Sequence, residues 1–302
     1  MTANEFAQTC CKKCLWITLC APLILAAGVL SAVAQAAPQT YLGFDSNNYP
    51  GDANVKILRQ TFSYTSYWLN NPPGEHANPW KGHRATVQAA GFGFLVLFNG
   101  RLYADLKSET RAAQLGKSDA AAASAAARHE GFPANTIIFL DQEQGGRMLP
   151  EQSAYIYAFV DGVVAAGFRA GVYCSGTVSP DEGHVVTAND IREHAGDFAP
   201  SEKAAGRNAR PTQAREITFW VANDACPPAP GCAFPQRPPG PAQSGVSFAD
   251  IWQFAQSPRR KDVAGRCTNY GRDGNCYAPG VPGVSIDVNT ATSSDPSGGR
   301  TR

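Results

Sequence analysis

Asp141 and Glu143, two carboxylates separated by one residue, close the apolar run Ile137-Ile138-Phe139-Leu140-Asp141-Gln142-Glu143. Two more acidic residues end similar runs far away in the chain. Asp45 follows Tyr41-Leu42-Gly43-Phe44, and Asp287 lies in Val284-Ser285-Ile286-Asp287-Val288-Asn289. An apolar run bounded by turn residues reads as a buried strand, where a carboxylate is costly unless it is hydrated or used. Residues i and i+2 of a strand share a face, so Asp141 and Glu143 project together with Cα atoms about 6.5–7 Å apart. Carboxyl groups that share a cleft can hold a proton on one and a charge on another, as acid/base cleavage of a glycosidic bond requires. Their spacing falls between the ranges of retaining and inverting enzymes and leaves the stereochemistry open. Taken singly, each acidic residue is better explained as a cap or turn former. The strand context makes the case for chemistry.

Those strands recur along the chain. Candidates are Tyr41–Ser46, Thr61–Trp68, Gly93–Phe98, Thr136–Gln142, Arg169–Ser175, Glu216–Asn223, Phe248–Phe254 and Val284–Asn289. Helical patterns fall between several of them. One runs from His83 to Ala90 before Gly91, and one is alanine-rich, capped by Ser118-Asp119 and stopped at Gly131. Another opens at Pro150-Glu151 and ends before Gly167, with Ile156, Val160 and Val163 on one face. A short helix is expected near Asn189–His194. Eight strands alternating with helices predict an α/β fold, a parallel (β/α)8 barrel of TIM type, with helices missing or degenerate in the second half. An open doubly wound sheet would show a Gly-rich phosphate turn after an early strand, and none is present. In the barrel, Asp45, Asp141, Glu143 and Asp287 converge on one cavity at the strand C-termini.

The chain has 302 residues, 43% hydrophobic and 17% charged, with 26 basic and 25 acidic side chains giving a net charge of +1. This is a globular composition with no basic surplus for nucleic acid or anionic membrane. Residues 1–36 read as an export signal: Lys12 and Lys13, an apolar stretch from Leu15 to Val33, then Ala34-Gln35-Ala36 as cleavage site. An uncleaved membrane anchor is the alternative. Past residue 36 no second apolar run could cross a membrane. Residues 37–292 form the barrel domain, and 293–302 a disordered tail.

Five of nine cysteines fall after the signal. Cys226 and Cys232 bracket a Pro-rich loop, and Cys267 and Cys276 a Gly/Asn-rich one. In an exported chain they predict two local disulfides, Cys226–Cys232 and Cys267–Cys276. A zinc site is the rival, at odds with the short spacing such sites favour. Cys174 is expected to be a buried free thiol. His184 and His194, with Asp181 and Asp190, sit in a polar loop without ligand spacing. No G-x-S-x-G elbow is present.

Six motifs in order resemble the family-25 glycoside hydrolases, the lysozyme-type muramidases, and resemble still more the exported bacterial glycoside-hydrolase-like domains of unassigned activity. They are Gly43-Phe44-Asp45, Asp141-Gln142-Glu143, Gly171-Val172-Tyr173, Phe219-Trp220-Val221-Ala222, Ile251-Trp252-Gln253-Phe254 and Ile286-Asp287-Val288-Asn289. The segment from Phe94 to Leu106 departs from the muramidase pattern. The resemblance implies a barrel with Glu143 as proton donor. Asp141 would assist, either stabilising charge or supporting participation by the sugar's N-acetyl group. Asp45 and Asp287 would tune that pair. Tyr173 and Trp220 would line sugar sites, joined by Trp252 and Asn289 as binding candidates. A strand tryptophan is more often core, and alternation alone does not say which residues face the lumen. The expected activity is hydrolysis of an N-acetylated cell-wall glycan such as peptidoglycan, by a monomer without metal or organic cofactor. The alternative is a catalytically silent barrel that binds such a glycan or a protein partner.

Overall fold

The computed structural model describes residues 38–180, 183–197, 214–261 and 266–301. The expected export signal lies outside the described residues. The first half of the domain contains β1 (Tyr41–Asp45), α1 (Asp52–Leu58), β2 (Tyr64–Trp68), α2 (Arg84–Ala89), β3 (Gly93–Asn99), α3 (Tyr103–Leu106), α4 (Glu109–His129), β4 (Ile137–Asp141), α5 (Pro150–Ala165) and β5 (Arg169–Ser175). The second contains β6 (Val178–Ser179), β7 (Val185–Val186), α6 (Thr187–Glu193), β8 (Ile217–Ala222), β9 (Ile251–Ala255) and β10 (Asp287–Ala291).

Eight strands close a barrel in the order β1-β10-β9-β8-β5-β4-β3-β2, while β6 and β7 form a separate two-stranded ribbon. The fold is therefore the α/β barrel that the strand pattern predicts. Strands β2, β4 and β9 are buried at every residue. Packing on both faces is why β4 reads as a continuous apolar run, and why the polar side chains of β2 and β9 are enclosed. Helix α5 packs on β4 and β5, and α4 packs on α5. A Cβ at Gly116 would overlap the Tyr155 carbonyl oxygen, and one at Gly162 would stand 2.6 Å from Ala120 Cβ. Small residues at the crossing allow the two axes to approach closely.

One strand departs from the parallel expectation. β10 is antiparallel to β1 and to β9. Asp287 consequently begins its strand instead of ending it. The reversal brings the start of β10 to the face where the parallel strands end. The connections that follow β5 are sparse in helix among the described residues: α6 has seven residues, and one 3-10 turn (Pro241–Ser244) lies between β8 and β9. In the first half, α4 starts earlier than expected. Its cap is Ser108, whose hydroxyl accepts the Arg111 N–H at 3.3 Å. Helices α1 and α3 were not anticipated.

The disulfides join Cys226 to Cys267 and Cys232 to Cys276, instead of closing each loop on itself. The loops after β8 and β9 lie against each other, and the Cys232 N–H donates to the Thr268 carbonyl at 3.1 Å. Each bridge spans more than 40 residues, which on the chain-entropy model is worth about 4 kcal/mol taken alone. Cys174 is free and buried, and burial pushes its thiol up to about 12.

The C-terminal segment is ordered, contrary to the disordered tail expected over 293–302. Ser297 is buried and inserts where β3 and β4 begin. It donates to the Phe94 carbonyl at 2.9 Å and accepts from Ile137 N at 2.8 Å, while its hydroxyl accepts from Val96 N at 2.9 Å. Asp295 accepts from Phe94 N, Arg300 donates to the Phe92 carbonyl, and Arg84 donates to the Gly299 carbonyl. These bonds satisfy strand-edge groups that would otherwise be orphaned. At about 1 kcal/mol per bond, and roughly 2–4 °C per kcal/mol, truncation after Thr292 is expected to lower Tm by about 10 °C or more in a thermal melt. An unchanged Tm would show the segment to be dispensable.

Candidate functional site

The four acidic residues meet. Asp45 ends β1, and its register partner across the antiparallel pair is Asp287. Asp141 ends β4 and stands in one row with Asn99, Tyr173 and Trp220 of the neighbouring strands. Glu143 lies two residues past the strand end, so its reach into the site comes from the loop and not from continued strand alternation. All four line a cavity of about 180 Å3, together with Tyr173 and Trp220. The cavity opens through Glu143, Tyr173 and Gln256 into a cleft of about 480 Å3. On the other side Asp45, Asn47, Ser257 and Asp287 connect it to a hollow of about 200 Å3 that contains Glu75. A larger hollow of about 1090 Å3 lies on the outer wall beside α5 and holds none of the four.

Burial dominates the electrostatics. Asp141 is 5% exposed, and its Oδ1 is enclosed without a hydrogen-bond partner. Desolvation, reinforced by the charges of Glu143 and Asp45, holds its pKa well above the carboxylate range. Asp287 is raised by desolvation and by Asp45, against the pull of the Ser257 N–H at 2.6 Å. Asp45 is raised by desolvation to about 6, even though Asn289 and Gln253 donate hydrogen bonds that favour its charged form. Glu143 is exposed at the rim, yet the desolvation of the cavity it lines raises it as well. Among the described residues no lysine, arginine or histidine lines the 180 Å3 cavity.

Other buried aspartates of the protein are treated differently. Asp119 takes a two-pronged bond from Arg101, Asp190 pairs with Arg147, and Asp224 pairs with Arg260. The carboxyls of the site receive neutral donors instead. Asn289 Nδ2 donates to Asp45 Oδ1 at 2.6 Å, and Gln253 Nε2 reaches both Asp45 and Asp287.

The aromatic and amide candidates divide. Tyr173 and Trp220 line the cavity with ring centroids 4.7 Å apart. Asn289 is fully buried beneath it, accepting from Trp220 Nε1 at 2.8 Å, and so supports Asp45 from below the cavity. Trp252 is not brought to the site. It alternates with lumen-facing Gln253, is fully buried, and donates to the Asn223 carbonyl at 2.8 Å. Gln253 is the residue that sequence reasoning missed. Its signal was a lone amide inside the apolar run Ile251–Ala255. Gly43 has a fixed purpose: any Cβ there would overlap the ring of Tyr64, which fills the barrel under Asp45. Among the described residues no group of three or more His, Cys, Asp or Glu side chains could hold a metal ion.

A family model described as Rv2525c-like, glycoside hydrolase-like domain matches residues 63–225, a segment that contains Asp141, Glu143, Tyr173 and Trp220. A solved protein of B. stearothermophilus, described as uncharacterized, is 20% identical with a TM-score of 0.50, over 83% of this chain and 95% of that one, which shows the fold. The Mycobacterium tuberculosis Tat-secreted protein Rv2525c, solved with L-tartrate, is 14% identical at TM-score 0.46, over 84% of this chain and 95% of that one. A family GH25 lysozyme from Aspergillus fumigatus is 14% identical at TM-score 0.42, over 83% and 93%. No curated protein matches.

The raised Asp45 carboxyl has a thermodynamic consequence. A folded-state pKa of about 6 against an ordinary 3.8 means that folding favours the protonated form. That stability is intact below about pH 4 and is lost as pH rises through about 6, by about 3 kcal/mol for this group. Asp141 and Asp287 act in the same direction. Asp45→Asn is therefore expected to shrink the stability loss between pH 4 and pH 7.5 by roughly 1–3 kcal/mol in urea denaturation. A variant with the wild-type difference would contradict the raised value.

Proposed function

The chain belongs to the Rv2525c-like glycoside hydrolase-like domain family, and on that premise we propose that it is an exported glycosidase acting on an N-acetylated cell-wall glycan of the peptidoglycan type. The observation that carries this reading is a cluster of buried carboxyls with no cation beside them among the described residues. This protein supplies an arginine to buried Asp119, Asp190 and Asp224, yet, among the described residues, none to Asp45, Asp141 or Asp287. Glycoside cleavage passes through an oxocarbenium-like transition state, so the missing positive charge would arrive with the reacting sugar.

Glu143 is the general acid. It stands where the carboxyl cavity opens into the larger cleft, and its raised pKa keeps the proton available for the leaving oxygen. Asp141 lies deeper, and its unpaired Oδ1 suits it to accept the N–H of a 2-acetamido group. That bond would turn the acetamido carbonyl oxygen toward the anomeric carbon. Asp45, with the strongest set of donors, is the charge that faces the developing cation, and Asp287 supports it. Tyr173 and Trp220 form the wall against which the sugar would rest. Two disulfides fit an oxidising compartment. Among the described residues no helix is long and apolar enough to cross a membrane, and residues 1–36 would serve as the export signal.

Incubating the disulfide-bonded domain with purified peptidoglycan should release new reducing ends. Glu143→Gln keeps shape and hydrogen bonding but removes the transferable proton, so turnover should fall by roughly 10²–10⁴ while binding persists. Asp141→Asn should also be impaired, and the two losses should not add, because the pair works as a unit. Wild-type protein that binds glycan without cleaving any N-acetylated cell-wall polymer would replace the enzyme with a glycan-binding barrel.

A further inference from the structure

Gln253 sits 2% exposed on β9, in a strand otherwise made of apolar residues, with its side chain in the barrel lumen. Its Nε2 lies 3.1 and 3.2 Å from the two oxygens of Asp45 and 3.3 Å from Asp287 Oδ2. Its Oε1 accepts the Tyr173 hydroxyl at 2.7 Å. The carboxyls settle which end of the amide faces which neighbour, since the reversed amide would set a carbonyl oxygen against both of them, and the Tyr173 hydroxyl, able to donate or accept, then donates to Oε1 and holds that orientation. A second amide repeats the arrangement. Trp220 Nε1 donates to Asn289 Oδ1, and Asn289 Nδ2 donates to Asp45. Two aromatic donors thus orient two amides, and both amides deliver N–H groups to one carboxylate. Those aromatics, Tyr173 and Trp220, are register neighbours on β5 and β8 and line the cavity.

We propose that Gln253 is a positioning residue whose amide, oriented by the Tyr173 hydroxyl, keeps Asp45 as the ionised member of the carboxyl cluster and so decides where the negative charge of the site resides. The titratable groups facing Asp45 are Asp287 from β10, Asp141 and Glu143 from β4 and its loop, Tyr173 from β5 and Tyr64 from β2, with Glu75 across the adjoining hollow. Among the described residues no basic group lines either space with them. Without a cation, hydrogen-bond donors are the means of choosing one carboxyl over its neighbours. Loss of the Gln253 donor leaves Asp45 with the Asn289 side-chain bond and its own backbone N–H. Its proton affinity rises, and Asp141, relieved of part of the Asp45 charge, is expected to ionise more easily. Gln253 would touch no reacting atom.

The inference rests on the proposed reaction only in its kinetic arm. The decisive measurement is a carboxyl 13C NMR titration of the folded, disulfide-bonded domain, with the Asp45 signal assigned through Asp45→Asn. In Gln253→Met the Asp45 midpoint should move up by about one pH unit and the Asp141 midpoint should move down. In Tyr173→Phe, which removes only the oxygen that orients the amide, the same two signals should move in the same senses by less. A residue that merely fills space would lower Tm and leave both midpoints where they are, and that result in the two variants would overturn the proposal. If Gln253→Met does not fold, Tyr173→Phe decides alone. With peptidoglycan as substrate, the rising limb of the pH–rate profile should move up with Asp45. A moved NMR midpoint beside an unmoved limb keeps the positioning role and removes Asp45 from the rate-determining chemistry. Wild-type protein without turnover would reject the reaction and leave the NMR result standing.

Discussion

The site exists because β10 runs against its neighbours. Seven strands of the barrel are parallel, and their C-terminal ends gather at one face. A parallel eighth strand would present its last residues there. The reversed strand presents its first residue, Asp287, opposite Asp45 in the register of the β1–β10 pair. Two residues further on, Asn289 pairs with Gly43, with its amide under Asp45 and its carbonyl against Trp220. One change of direction therefore supplies an acidic residue and the amide that supports another. The register of the β1–β2 pair explains Gly43, which lies beside Tyr64, since only a residue without Cβ leaves room for that ring.

Desolvation then does most of the chemistry-setting. Four carboxyls around about 180 Å3 cannot all remain charged in a poorly hydrated space. Elsewhere the protein resolves the same problem with arginine, as at Asp119 and Asp190. At the site the resolution is partial: amide donors stabilise one charge, protons satisfy others, and one oxygen of Asp141 is left without a partner. Such an arrangement destabilises the folded state at neutral pH. A protein retains a cost of that kind where the group that relieves it comes from outside.

Much of this was legible in the chain because barrel strands announce themselves. The runs around Phe44, Phe139, Tyr173 and Trp220 are apolar on both faces, and Asp45 and Asp141 mark their ends without ambiguity. Asp287 was found for a reason that only half holds, since strand direction leaves no trace in a five-residue pattern. The cysteine pairing was misread for a related reason. Sequence proximity favours Cys226 with Cys232, whereas the actual partners depend on two irregular loops lying side by side. Trp252 was chosen over Gln253 because a tryptophan is conspicuous, and the deciding quantity is which of two alternating residues faces the lumen. The last residues read as polar and Gly-rich, a composition that disordered tails share with segments held by strand-edge hydrogen bonds.

The crossed disulfides bear on how the protein matures. Cys226 and Cys232 are both synthesised before either of their partners, Cys267 and Cys276. In an oxidising compartment the first thiols to meet are therefore two that do not belong together. The nearest pairing available to the emerging chain would tie off the loop after β8 before the loop after β9 has been made. The wall of the cleft that carries Asp224 and Arg260 is thus under editorial control: its correct form depends on thiols being held apart, or exchanged, until the last strand closes the barrel.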